Sequence, residues 1–221
     1  EVEELIDLAD PYDGFTRSLP IAPFLPAVLA ACGLPAVSHG VDHVGPKFGT
    51  THRHVLAAAG IPVDLSPAEA ASRVADPRIG WSYVDQAQFC PPLHALIDLR
   101  GRMIKRSVLT TAEVLAQPIR GRERTHFCTG YVHKPYPPVY LALARQAGFD
   151  TALAVRGIEG GILPSLKQTA EVHSYRGGMR YNDVTGLDPN ALGISQDVRA
   201  VHLPADLPAP RPLLDGTSPG I

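Results

Sequence analysis

A chain of 221 residues with 45% hydrophobic and 19% charged side chains is long enough to bury a core without disulfide or metal staples. Its 20 Lys and Arg against 22 Asp and Glu leave a formal charge of −2, which argues against a dedicated nucleic-acid or acidic-membrane binder. The three cysteines, Cys32, Cys90 and Cys128, are few, odd in number and without CxxC spacing, which fits a reducing compartment rather than a disulfide framework.

Each thiol reads as a small buried apolar side chain. No apolar run reaches the roughly 20 residues of a membrane span, and the acidic start EVEELIDLAD has none of the character of a signal peptide. The expected location is cytoplasmic.

Short and longer apolar runs alternate along the chain, the pattern of an α/β fold. Residues 4–9 read as a strand leading into a Pro-Tyr-Asp-Gly turn. The apolar segment 20–33 reads as a buried helix in which Pro26 forces a kink or a later start. Residues 34–40 form a strand ending in a His- and Gly-containing loop, and 51–60 a short helix stopped by Gly60. Ser66, Pro67 and Glu69 spell a capping box that opens a helix. A strand over 79–84 and a helix over 92–101 follow, then a short helix over 110–118 and a strand over 125–132. Helix 137–148 ends at Gly148, and 151–157 is a buried strand running into Gly-Ile-Glu-Gly-Gly. Residues 171–184 resemble a hairpin around Gly177-Gly178. The organisation expected is one domain over 1–203, followed by an irregular, Pro-rich tail over 204–221.

Ligands of open α/β sheets bind beyond the C-terminal ends of strands. That rule selects four segments: DPYDGFTR, SHGVDHVGPKFGTTHRH, YVHKPYPP and RGIEGG.

In this order and spacing, the segments resemble the anthranilate phosphoribosyltransferase group of family-3 glycosyltransferases. The likeness covers almost the whole chain. ADPYDGFTR stands where the family has a GTGGD phosphate loop, SHGV where it has K-H-G-N, IPVDLSP where it has V-K-V-D-L-S-P, and AVRGIEGG where it has V-V-H-G-x-D-G. Arg106–Pro118 aligns without gaps to R-T-I-F-N-L-L-G-P-L-T-N-P, retaining Arg106, Leu115 and Pro118. Tyr12-Asp13-Gly14, Lys47-Phe48-Gly49, Gly130-Tyr131-Val132-His133 and Gly157-Ile158-Glu159-Gly160 are closer still to divergent relatives that lack GTGGD. The resemblance implies a mixed, mostly parallel central sheet flanked by helices. It also implies a transferase cleft binding a phosphorylated small molecule, such as a sugar phosphate or nucleotide, with Mg²⁺ as the cofactor.

The substitutions bear on that chemistry. Phosphoribosyl transfer needs backbone amides on a pyrophosphate, a metal to offset leaving-group charge, and a positioned ribose. Here Pro11 has no N–H, and Asp10 and Asp13 repel phosphate. The family Lys is Ser38, its Asn residues are Val41 and Thr110, and its Mg²⁺-binding Asp-Glu pair falls at about Ile162-Leu163. Anthranilate phosphoribosylation is therefore not expected. The site expected comprises Tyr12, Asp13, Gly14, Arg17, His39, Gly40, Lys47, Gly49, Thr50, Thr51, Arg106 and His133, with Glu159 on a metal or the ribose.

Other readings stay open. His39, His43, His52 and His54, with Asp42, are of types that bind transition metals, or they are ordinary loop histidines. Arg100, Arg102, Lys105, Arg106, Arg120, Arg122 and Arg124 would grip a nucleic-acid backbone in a catalytically silent binding protein, or form a solvated face. Trp81 and Phe89 read as core. Family members carry an N-terminal helical lobe, which the resemblance leads us to expect is absent from the sequence 1–221. Apolar surface that such a lobe covers is thus expected to be exposed, or used in a homodimer or in association with such a lobe.

Overall fold

A computed structural model describes residues 1–103, 105–177 and 182–202. The Pro-rich tail expected over 204–221, and the Gly178 side of the expected turn, lie outside the described residues. One seven-stranded sheet runs in the order β3-β2-β1-β4-β5-β6-β7. Its strands are β1 (Glu4–Ala9), β2 (Ala36–Gly40), β3 (Trp81–Asp85), β4 (Arg124–Tyr131), β5 (Thr151–Arg156), β6 (Ala170–Tyr175) and β7 (Asp183–Leu187). The first five are parallel, and β6 and β7 pair antiparallel at one edge. The chain leaves β1 toward β2 and leaves β4 toward β5. The loops above these two central neighbours therefore diverge and open a crevice at the C-terminal ends.

The helices are α1 (Leu25–Ala31), α2 (His52–Ala58), α3 (Pro67–Ala75), α4 (Gln86–Phe89), α5 (Pro91–His94), α6 (Ile97–Arg102), α7 (Leu109–Ala112) and α8 (Tyr136–Ala147). Helix α8 buries Tyr140, Leu141 and Ala144 against Phe127, Ala152 and Ala154. Helix α3 sets Ala70 and Val74 on Leu5, Val37 and Val84. On the opposite face, Leu25 and Leu29 of α1 cover Leu8, Ala36 and Cys128. Each fully buried Leu in these layers contributes about 1.5–3 kcal/mol. The Ser66–Glu69 capping box forms as the sequence requires, with Pro67 in the first turn of α3. Gly148 closes α8 at φ 85°, a left-handed position that favours glycine.

Three local expectations change. The apolar stretch 20–33 is not one helix: a 3-10 turn at Ala22–Phe24 precedes α1, and Pro26 sits in the first turn of α1, where a missing N–H costs nothing. Residues 92–101 divide between α5 and α6, after which Arg100 turns inward to the buried Glu113. Strand β5 is not buried along its whole length: Leu153 is 43% exposed, although Ala152, Ala154 and Val155 are buried. All three cysteines are free, but only Cys128 is buried; Cys32 is exposed and Cys90 half-buried. Among the described residues, no helix is long and apolar enough to cross a membrane.

Candidate functional site

A cleft of about 670 Å³ opens above β1 and β4, where the strand order reverses. Pro11, Thr16 and Arg17 enter it from the loop after β1, and Lys47 from the loop after β2. Val132, His133 and Tyr136 follow β4, Glu159 and Gly160 follow β5, and Arg106, Ser107, Thr110 and Thr111 line the remaining wall. All four sequence-selected segments thus meet at one place. Of the residues expected to form the site, Arg17, Lys47, Arg106, His133 and Glu159 reach this cleft. The others form its buried support.

The first two loops are zipped together through their backbones. Gly14 N–H donates to Pro11, Gly49 N–H to Asp13, and Phe15 and Thr50 exchange both amide bonds. The approach is so close that a Cβ on Gly14 would lie 2.7 Å from the Gly49 carbonyl carbon, and one on Gly49 would lie 2.5 Å from the Phe15 oxygen. Gly14, Gly49 and Thr50 therefore offer no free amide to a phosphate; their hydrogen bonds are spent inside the protein. Thr51 is also structural, accepting from His54 N–H as the N-cap of α2 and donating to the Asp42 carbonyl.

The two acids that seemed hostile to phosphate are buried and paired. Asp13 is fully buried and faces Arg106 at 2.7 Å and Lys47 at 3.3 Å, so it partly neutralises both cations of the cleft. Asp10 accepts from the Ile162 amide at 2.7 Å and pairs with His52 at 2.9 Å, tying the loop after β5 to α2.

His39 does not reach the cleft. It is 1% exposed, with Nε2 donating to Asp7 at 2.8 Å and Nδ1 in hydrogen-bond contact with the Tyr12 hydroxyl. The reason lies in the strand itself: Ser38 and His39 are inside β2, which is buried on both faces, so neither side chain opens to the cleft. Tyr12 is buried over His39 and within 3.2 Å of the Glu113 carbonyl. Burial, reinforced by Glu113, pushes its hydroxyl well above its ordinary pKa, so it remains protonated. Gly40 ends β2, paired with Asp85 and covered by the Tyr83 ring.

Glu159 is the centre of a built anion nest. One carboxylate oxygen accepts from Thr16 N–H at 3.1 Å and Thr16 Oγ1 at 3.2 Å. The other accepts from Arg17 N–H at 3.0 Å, Ser18 N–H at 2.8 Å and Ser18 Oγ at 2.8 Å. Burial alone would raise its pKa, but these bonds from Thr16, Ser18 and Arg17 outweigh it and hold the group at about 2. Five donors use up the lone-pair directions of one carboxylate, so Glu159 does not fit as a direct Mg²⁺ ligand in this conformation. The position of its partner residues agrees: Ile162, where the family has a metal-binding carboxylate, is a buried apolar side chain.

The loop histidines do not assemble a metal centre. His39 and His52 serve Asp7 and Asp10, while His54 and His43 both bond Asp42 and hold its carboxyl well below the usual range. No group of three or more His, Cys, Asp or Glu suited to a metal occurs among the described residues. The basic stretch is divided between two ends of the sheet. Arg100 is buried on Glu113, and Arg106 lines the cleft. Arg122 and Arg124 pair with Glu3 and Glu4 at the strand starts. Trp81 and Phe89 are partly buried and packed against core clusters. Reading by segment missed Ser107 and Thr111 of the cleft wall. Tyr131 and Tyr136 lie inside the selected YVHKPYPP segment but were not named as site residues.

No family model matches the chain. An uncharacterized protein of Aquifex aeolicus is 26% identical over 221 residues, which is 99% of this chain and 64% of that protein. Anthranilate phosphoribosyltransferase of Novosphingobium aromaticivorans is 26% identical over 162 residues, 73% of this chain and 47% of the relative. The enzyme of that name from Rhodospirillum rubrum is 27% identical over 193 residues, 86% of this chain and 53% of the relative. Among solved structures, anthranilate phosphoribosyltransferase from Saccharomyces cerevisiae in complex with PRPP and Mg superposes with a TM-score of 0.66. It is 14% identical over 88% of this chain and 51% of that one. The chain therefore spans about half the length of the enzymes it matches. The chain is thus similar in sequence, at 26–27% identity, to part of anthranilate phosphoribosyltransferases and shares the α/β fold of that enzyme over 88% of its own length.

Proposed function

We propose that the cleft above β1 and β4 binds a phosphorylated small molecule, a sugar phosphate or nucleotide, as part of a divergent phosphoribosyltransferase-like protein that does not phosphoribosylate anthranilate. The observation that carries this reading is the meeting of Arg17, Lys47 and Arg106 with His133 around one cleft of about 670 Å³. That size suits a small ligand, and guanidinium groups grip phosphate oxygens in pairs. The same site argues against the family reaction. Its zipped loops spend the Gly14, Phe15, Gly49 and Thr50 amides inside the protein, and its acids already occupy Lys47, Arg106 and the nest at 16–18.

The expected contacts are Arg17, Arg106 and Lys47 on the phosphate oxygens, with His133 at the rim. Tyr12, Asp13, Gly14, His39, Gly40, Gly49, Thr50 and Thr51 hold the floor in place. Magnesium would enter with the phosphates it accompanies, on their oxygens and on water, because Glu159 is engaged. We assign this role to residues 1–203 as one unit. An apolar row on and beside α1, with Ile21 and Val28 more than half exposed and Leu19, Phe24 and Leu34 nearly so, is the surface we assign to self-association.

Calorimetry with phosphoribosyl pyrophosphate and nucleoside phosphates, with and without Mg²⁺, tests the ligand class. Saturable heat that Arg106→Gln weakens supports it. No heat from any of them at millimolar concentration removes it.

A further inference from the structure

A second cavity, of about 340 Å³, shares Arg17, Val132 and Glu159 with the first. Its walls are Arg17 and Ser18, the loop leaving β5, and residues 199–202. Three arginines line it, Arg17, Arg156 and Arg199, together with His202, Ser165 and Thr169. Arg156 opens the selected RGIEGG segment without being named as a site residue, and Arg199 and His202 lie outside the four selected segments.

The frame is held from several sides. Arg156 is the last residue of β5, fixed by its pairing with Tyr131. The Arg199 carbonyl accepts from Leu166 N–H at 3.0 Å, and the Val201 carbonyl from Leu19 N–H at 2.8 Å. Ser18 and His202 form a β-bridge. Ser165 is buried and accepts from the Lys167 and Gln168 amides at 3.1 and 3.3 Å, which shapes the turn beneath the cavity.

Charge separates the two cavities. In the first, Lys47 and Arg106 share the buried Asp13. In the second, among the described residues, the one ion pair joins Arg17 to Glu159 at 4.0 Å, and that carboxylate already accepts five hydrogen bonds. Arg156 and Arg199 have no carboxylate within ion-pair distance among the described residues. Guanidinium groups stay charged at every physiological pH, and a concave wall concentrates their field on whatever enters. The uncompensated positive charge at the strand tips is thus greatest in the cavity that the family likeness does not point to.

We propose that this cavity is a second anion site, taking the phosphate group of a small phosphate monoester between Arg156 and Arg199, with Arg17 on the wall it shares with the first cleft. Its volume lies near the lower end of ordinary small-molecule sites, of roughly 300–1,000 Å³, which suits a compact ester. The inference stands apart from the ligand of the first cleft, because Arg156 and Arg199 line only the second.

The test is a nuclear magnetic resonance titration of the whole chain with inorganic phosphate, against sodium chloride at matched ionic strength. Saturable shifts are expected at the Arg156 and Arg199 side-chain N–H signals and at the amides of 165–170, where Ser165, Gln168, Thr169 and Ala170 line only this cavity. The double variant Arg156→Gln/Arg199→Gln should raise the dissociation constant at least tenfold, and Arg106→Gln should leave it unchanged. Arg199→Gln alone, a change on an exposed side chain, provides a variant whose fold is secure and should give a smaller weakening in the same direction. A parallel titration with ribose 5-phosphate distinguishes the ligand's source. Tighter binding than inorganic phosphate marks an ester site, and equal binding overturns the ester assignment. Shifts that stay linear, that chloride reproduces, or that survive the double variant overturn the site itself.

Discussion

Replacing Glu159 with Gln should destabilise the domain at neutral pH and lose that effect in acid. The carboxylate is almost fully enclosed, with its side chain 4% exposed, and accepts five hydrogen bonds from residues 16–18. Its pKa falls from an ordinary 4.5 to about 2. At about 1.4 kcal/mol per pKa unit, that shift corresponds to about 3 kcal/mol of folding stability at neutral pH. Glutamine keeps one carbonyl oxygen for the Arg17 and Ser18 donors, but turns an NH₂ group toward the Thr16 N–H. About 2 kcal/mol should therefore be lost at pH 7. The sign with pH follows from a depressed acid. The stabilisation is complete above pH 4.5, where the unfolded group is ionised, and disappears as pH falls through about 2, where the folded group takes up its proton. Urea unfolding of both proteins at steps from pH 7 to pH 2 measures the gap. It should narrow steadily below pH 5. Equal midpoints at pH 7, or a gap that stays constant to pH 2, would refute the nest as a source of stability.

Three further outcomes are expected. Asp13→Asn removes the charge shared by Lys47 and Arg106, so inorganic pyrophosphate should bind about tenfold more tightly by calorimetry, whereas Arg106→Gln should weaken it; unchanged affinity in both would contradict a role for these cations. Burial, with the nearby Asp10, pushes the Cys128 thiol to about 12, so at pH 8 iodoacetamide should label exposed Cys32 and spare Cys128 in the folded protein, as read by mass spectrometry. Phe24→Ser/Val28→Ser should lower the apparent mass by light scattering if the α1 surface associates; a wild-type chain that is monomeric at every concentration rejects that assignment.

Much of the fold was legible because it is written in local chemistry. The Ser66-Pro67-Glu69 start, the stops at Gly60 and Gly148, and the short apolar runs at 36–40 and 151–156 each dictate an element without distant information. The convergence of four loops was also legible, since parallel strands place their C-terminal ends together. What sequence reading could not supply was which polar side chains find partners inside. Asp10, Asp13 and Glu159 look like phosphate-repelling or metal-binding acids along the chain. In three dimensions they bond Ile162, Arg106 and the amides of 16–18, contacts spanning 152, 93 and 141 to 143 positions. His39 was misplaced for a simpler reason: in a strand buried on both faces, alternation gives no sign of which histidine points to solvent. The short helices between β3 and β4 carry few caps, and the position of Arg106 at the cleft depends on their packing.

Crystals grown with phosphoribosyl pyrophosphate address the central claim most directly. The account predicts phosphate density in the cleft between Arg17, Lys47 and Arg106, with the loops at 10–15 and 45–50 still zipped and His39 still beneath Tyr12. Density lying instead on the backbone amides of Gly14 and Gly49, with that zipper opened, would contradict it, as would a cleft left empty while the ligand binds elsewhere.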